Sequence, residues 1–233
     1  VRTSLYYPIT MRSLTDRSRT RTFNWNVASI SLVVFTFAVA TMVQAGSPPF
    51  CNNLDCPVYT VVTKTAQYEI RKYAPSVWSS TNVTSVDSYN DATREGFQRL
   101  FKYISGANTN GTKVPMAAPV LVDVYPGAGP ACNSTFTINF FVPFAYQANP
   151  PRPTQADCFI RYVPSFNVAV GSFPGYITSY NATIVPQLIK LEAALTHDGV
   201  KVLDNALAHT AGYDSPFKVF NRHNEVWLMI AQE

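Results

Sequence analysis

The 233 residues carry 18 basic and 14 acidic side chains, a net charge of +4. Five of the basic residues, Arg2, Arg12, Arg17, Arg19 and Arg21, and only one acid, Asp16, lie in the first 45 positions. The remaining 188 residues hold 13 of each sign, so the basic balance gives no reason to expect a nucleic-acid partner.

Residues 1 to 10 precede the first methionine, Met11, and are expected to be untranslated sequence or a cloning remnant. From Met11 the pattern is that of a signal peptide spanning 11 to 45. Four arginines lead into the uncharged apolar run from Val27 to Val43, and Val43-Gln44-Ala45 offers small residues where a signal peptidase reads. The run is short for a bilayer span and holds Ser29, Ser31, Thr36 and Thr41. Cleavage after Ala45 is expected, with Gly46 as the mature start, a secreted product and no stable membrane insertion. A chain of the size left after cleavage fits one domain and buries roughly 70% of its unfolded surface, enough for a core of its own.

Residues 46 to 56 form a lead-in containing Pro48 and Pro49, and the domain proper is expected over 57 to 233. Val58 to Thr63 alternates like a strand, and Gln67 to Thr84 is a long extended run bent at Pro75. A helix follows, capped by Asp87 or Ser88, striped by Phe97, Leu100, Phe101 and Ile104, and ended by Gly106. Extended pieces are expected at Lys113 to Ala117, Val120 to Tyr125 and Ser134 to Val142, with a turn-rich segment at 126 to 130. Cys158 to Phe173 is a second long extended run, bent at Pro164. A second helix is expected over Thr183 to Thr196, with Pro186 in its first turn. Extended pieces at 200 to 203, 217 to 220 and 225 to 230 finish the chain.

The two long runs echo each other. Ile70-Arg71-Lys72-Tyr73-Ala74-Pro75-Ser76 matches Ile160-Arg161-Tyr162-Val163-Pro164-Ser165 with one residue deleted, and each precedes a helix. The expected fold is therefore α+β: duplicated strand-strand-helix-strand-strand units. They would form a distorted antiparallel β-barrel, closed as two sheets with both helices outside.

Four cysteines, Cys51, Cys56, Cys132 and Cys158, suggest two disulfides in an oxidising compartment, with three possible connectivities. If 134 to 142 and 158 to 163 form a hairpin, Cys132 and Cys158 lie too far apart to bond. Cys56 and Cys132 each precede the first strand of a half by two residues, so the expected pairs are Cys56–Cys132 and Cys51–Cys158. Glycosylation sequons at Asn82, Asn110, Asn133 and Asn181 agree with secretion.

No nucleophile elbow, zinc-protease motif, Walker loop or dinucleotide fingerprint occurs, and no catalytic residues are assigned. Of the three histidines, His197 sits at a helix end and His209 in an expected loop. His223 lies in a polar turn, where a cap on the last strand is the favoured reading and a metal ligand the weaker one. The first helix carries Arg94, Phe97, Phe101 and Lys102. At about 100° per residue, Phe101 lies roughly 20° from Arg94 and roughly 100° from Lys102. Aromatic surface flanked by two cations suits a flat apolar ligand bearing carboxylates, although snorkelling basic residues commonly border a helix's core stripe.

Several runs resemble the SOUL family of haem-binding proteins. They are Tyr213-Asp214-Ser215-Pro216-Phe217-Lys218 followed by Asn221 to Leu228, YEIRKY at 68 to 73, FQRLFKYISG at 97 to 106, KVPMAAPV at 113 to 120, and STFTINFFVP at 134 to 143. The resemblance implies a duplicated barrel-like fold, non-covalent binding of haem or a related tetrapyrrole as cofactor or cargo, and no catalysis. Its pocket contacts match Arg94, Phe97, Phe101, Lys102 and Lys218. Lys72 stands where some members carry a histidine proposed to ligate iron, and Ala117 where threonine is usual. The resulting expectation is a secreted carrier with a small planar apolar ligand as partner. The alternatives are a binder of a bilin or carotenoid, or an interaction protein with a vestigial pocket.

Overall fold

The computed structural model describes residues 42–43, 47–84, 88–125, 135–203 and 207–231. The chain divides into Val1–Val39 and Ala40–Glu233, and the fold is that of the second unit. Among the described residues its ten strands are β1 Met42–Val43, β2 Tyr59–Lys64, β3 Glu69–Tyr73, β4 Ser76–Val83, β5 Val120–Tyr125, β6 Thr135–Phe141, β7 Cys158–Val163, β8 Phe166–Phe173, β9 Ala208–Gly212 and β10 Asn224–Met229. Helix α1 spans Tyr89–Ile104 and α2 spans Val185–His197. The strands make one antiparallel sheet, ordered β1-β2-β3-β8-β10-β9-β5-β6-β4-β7, that curls into a half-barrel. The fold is thus α+β as expected, with a single open sheet in place of two closed ones.

The duplication is real, but its frame is shifted by one strand. Outward from the β5–β9 pair the order is β5-β6-β4-β7 one way and β9-β10-β8-β3 the other. The units are therefore β3-β4-α1-β5-β6 and β7-β8-α2-β9-β10, with β1 and β2 added at one edge. Strand β6 closes the first unit instead of opening the second. It pairs with β4 and β5, whereas β7 pairs with the other edge of β4, so the expected β6–β7 hairpin does not form.

That shift overturns both expected disulfides. Cys56 precedes an added strand and Cys132 a closing one, so the two are not equivalent. Instead Cys51 bonds Cys56, with their Cα atoms 6.3 Å apart. A short turn at Pro49–Cys51, followed by Asn52 and Asn53 in the left-handed region (φ 55° and 61°), folds the chain back on itself. Cys158 is a buried free thiol, and Cys132 lies outside the described residues.

The alternating residues of the strands serve two faces. One face carries the helices. Leu100, Tyr103 and Ile104 of α1 pack with Val122, Val124, Ile138 and Phe140. Leu191, Ala194 and Leu195 of α2 pack with Ala169, Val226 and Leu228. The other, inner face gathers Tyr59, Tyr73, Trp78, Leu121, Phe141 and Trp227 together with the buried disulfide. Ser88 caps α1 by accepting the Asp91 N–H at 3.1 Å, and Gly106 (φ 122°) follows its end. Among the described residues no helix is long and apolar enough to cross a membrane.

Three extended expectations fail. Residues 113 to 117 form no strand, and 217 to 220 form an exposed loop, with Phe217 92% and Phe220 80% exposed. In contrast 208 to 212, expected as a loop, is the central strand β9. Residues 200 to 203 contribute only an isolated bridge, between Val202 and Ile230.

Candidate ligand groove

A groove of about 620 Å³ runs between α1, strand β5 and the segment that leads into β10. Helix α1 contributes Tyr89, Thr93 and Phe97, spaced i, i+4 and i+8 along one helix edge, with the exposed Arg94 beside them. Val120 and Val122 of β5 form an apolar floor, which continues over the backbone of Gly212. A Cβ at Gly212 would meet nothing within 4 Å, so the floor is open there. The far wall is Tyr176 with Arg222, whose guanidinium lies 4.4 Å from the Tyr176 ring centre. Arg222 Nη1 donates to the carbonyls of Ser215 (2.7 Å) and Lys218 (2.8 Å), while its buried Nε has no partner.

The five residues expected to bind ligand divide in two. Arg94 and Phe97 line the groove; Phe101 does not, but it stacks on Phe97 at 5.9 Å between ring centres and is half exposed. Arg94 is exposed and pairs with Asp91 at 2.8 Å. Lys102 is exposed on α1 and does not line the groove. Lys218 is committed elsewhere: its Nζ donates to Asp214 (2.5 Å) and Asn52 (3.3 Å). Lys218 serves the groove through its carbonyl, which accepts from Tyr176 and Arg222.

Arg222, Tyr176 and Gly212 were not foreseen. The signal for Arg222 was available, since it stands inside the segment Asn221 to Leu228. That segment works on two faces. Arg222 and Asn224 line the groove, while His223, Glu225 and Trp227 turn to the inner face. There Glu225, fully buried, accepts from Arg71 (3.0 Å), His223 (2.8 Å), Tyr213 (2.8 Å) and Trp227 (2.8 Å). Burial opposes its charge, but the His223 hydrogen bond and the Arg71 charge outweigh it and hold the carboxyl below its ordinary range. His223 also stacks on Phe50 at 4.1 Å, and its N–H donates to Asp214, so it caps the strand as favoured above. Among the described residues no three His, Cys, Asp or Glu side chains gather to hold a metal.

The sequons Asn82, Asn110 and Asn181 are exposed, and Asn133 lies outside the described residues. Asn82 sits within β4, where its side chain accepts the Thr137 hydroxyl at 2.9 Å. Lys72 is exposed on β3 and does not line the groove.

Could these residues receive a tetrapyrrole? The apolar floor, the open space over Gly212, the unpartnered Arg222 Nε–H and the two flanking cations fit a flat macrocycle with carboxylates. Among the described residues no His, Cys or Met lines the groove; Tyr89 and Tyr176 are wall residues of a type that ligates haem iron, but their hydroxyls are engaged with Thr210 (2.6 Å) and the Lys218 carbonyl (3.1 Å).

The chain is 43% identical over 166 residues to human Heme-binding protein 2, covering 71% of this chain and 79% of that one. It is 40% identical to the mouse Heme-binding protein 2 over the same shares. Against Heme-binding protein 1 of Xenopus laevis it is 31% identical, over 70% and 83% of the chains. The crystal structure of the EcmrR C-terminal domain shares the fold, with a TM-score of 0.51 at 11% identity over 72% of this chain and 98% of that one. The sequence pattern of SOUL heme-binding proteins matches residues 54–229, and the chain belongs to that family.

Proposed function

We propose that the protein binds haem or a related tetrapyrrole in the α1 groove and carries it without transforming it. The observation that carries this reading is the open apolar floor at Gly212 between Arg94 and Arg222. Burial of the macrocycle face supplies most of the affinity, at about 25 cal/mol per Å² before the losses of association. Arg94 is exposed, so its pairing with a carboxylate contributes only about 0–1 kcal/mol and mainly sets orientation. Among the described residues no His, Lys, Cys, Asp or Glu lines the groove, which supports carriage over catalysis. The haem-binding names of the relatives support the ligand class.

Titration with haem should shift the Soret band saturably. Arg94→Ala should weaken binding about two- to fivefold, and Lys102→Ala, outside the groove, should leave it unchanged. An unshifted Soret band in the unaltered protein would refute the reading. With the Tyr89 and Tyr176 hydroxyls already hydrogen-bonded within the protein, iron-free protoporphyrin should bind within about threefold of haem. The same feature favours a bilin as the second reading, and the visible spectrum of protein from its natural source separates the two.

We further propose that the mature chain starts at Gly46 and is secreted. The Cys51–Cys56 disulfide and the exposed sequons Asn82, Asn110 and Asn181 support this. Mass measurement of protein from culture medium tests it: the carrier should begin at Gly46 and lose mass on deglycosylation.

A further inference from the structure

The inner face of the half-barrel holds a second cavity, of about 220 Å³, on the side of the sheet away from the helices. Its walls are apolar, chiefly Trp78, Leu121, Phe166, Trp227 and Met229. Into this lining projects one polar cluster. Asp123 on β5 is almost wholly buried, and its two carboxylate oxygens meet His209 Nδ1 (2.8 Å) and Arg161 Nη1 (2.6 Å). Burial opposes the Asp123 charge, but the His209 hydrogen bond and the Arg161 guanidinium hold its carboxyl low. An ionised carboxylate only accepts, so His209 Nδ1 carries a proton and Nε2 is the free ring atom. That Nε2 is buried and has no partner, on a side chain only 8% exposed. An unpaired buried ring nitrogen is unfavourable unless something fills its place.

We propose that this cavity is a second binding site, for a one-ring aromatic whose hydroxyl pairs with His209 Nε2 and whose carboxylate reaches Arg161. A hydroxyl both donates and accepts, so it satisfies Nε2 with or without a proton there. Size agrees: a dry cavity of about 150 Å³ is known to take benzene, so this one holds a substituted single ring and excludes a porphyrin. Arg161 retains 38% of its side-chain exposure at the rim, which leaves its remaining N–H groups accessible to a carboxylate. The site is independent of the groove. Leu121, Asp123 and His209 face the cavity, whereas their neighbours Val120, Val122 and Gly212 face the groove on the opposite side of the sheet.

The test uses 4-hydroxyphenylacetate against phenylacetate, which lacks the hydroxyl, by calorimetry on the unaltered protein. The hydroxylated probe should bind saturably, and phenylacetate at least tenfold more weakly. Trp78 and Trp227 are the only tryptophans after position 45 and both line the cavity, so the emission of the domain should respond to the probe. Arg161→Gln should weaken 4-hydroxyphenylacetate but not 4-methylphenol. His209→Phe should abolish the preference for the hydroxyl. Because that variant strands Asp123, the comparison of probes on the unaltered protein decides the matter if it fails to fold. A saturating probe should leave the haem titration unchanged. Absence of saturable binding would overturn the proposal, with a fixed water then the partner of Nε2. Equal affinities for the two probes, or displacement of haem, would overturn it as well.

Discussion

Glu225 illustrates how a single buried side chain sets the pH limits of this fold. Its folded pKa is depressed, as is that of Asp123, so their stabilisation is complete above the ordinary carboxyl range and is lost as pH falls through and below it. Tyr59 and Tyr103 run the other way, each pushed up to about 12 by burial. Their stabilisation is complete below about 10, where the unfolded phenols ionise, and is lost as pH rises beyond it. Urea midpoints measured across pH should therefore form a plateau with an acid and an alkaline limb. Glu225→Gln should flatten the acid limb. At Gly212 the expectation concerns ligand, not stability. Gly212→Ala puts a Cβ on the open floor without meeting a neighbour, so porphyrin affinity should fall about threefold or more with the melting temperature nearly unchanged. A glycine in an unforeseen strand gives no sign in the sequence that a ligand would lie on it. Arg94 and Phe97 were legible because helical spacing places them on one edge. Lys218 was misjudged because only the folded chain shows Asp214 and Asn52 waiting for its ammonium.

At the scale of elements, α1 was legible to within two residues because a cap, an apolar stripe and a terminal glycine agree. Strand β9 was not. Its sequence Ala208-His209-Thr210-Ala211-Gly212 lacks the bulky residues that mark strands, and its conformation comes from pairing with β5 and β10 on either side. The converse holds for Phe217 to Phe220, which has strand-like composition but no partner strand. Gly96 gives the test of how α1 is seated. An alanine in a helix interior normally adds about 0.5–1 kcal/mol of stability over glycine. Here its Cβ would lie 2.6 Å from two Ile138 carbons, so α1 must lift from the sheet. Gly96→Ala should lower the melting temperature and, by moving Arg94 and Phe97, weaken porphyrin binding. A melting temperature that rises would show that α1 is loosely seated.

For the whole molecule, the local echo at Ile70 and Ile160 revealed the duplication, because β3 and β7 are the first strands of equivalent units. The frame around it was hidden, since β2 lies outside the repeat yet reads as strongly as any strand. The wrong frame then produced the wrong disulfides. A bond closing the short Cys51–Cys56 loop contributes about 2 kcal/mol in the chain-entropy picture, well below what a chain-spanning bridge would add. Cys51→Ala with Cys56→Ala should therefore lower stability by about 2 kcal/mol in urea titrations, with the fold retained. The loop's main effect is local: Asn52 donates to the Tyr213 carbonyl (3.1 Å) and to Asp214 (2.9 Å), so the lead-in is docked on the closing segment.

The weave of the two units also fixes an order in time. Each unit contributes strands that pair across to the other, β3 with β8, β4 with β7 and β5 with β9. During synthesis the first unit emerges complete yet with three strand edges open, and Glu69 meets its partner only when Val170 has been made. Such distant pairing makes for slow folding. Only when β10, the last of the described strands, settles between β8 and β9 does Glu225 reach Arg71.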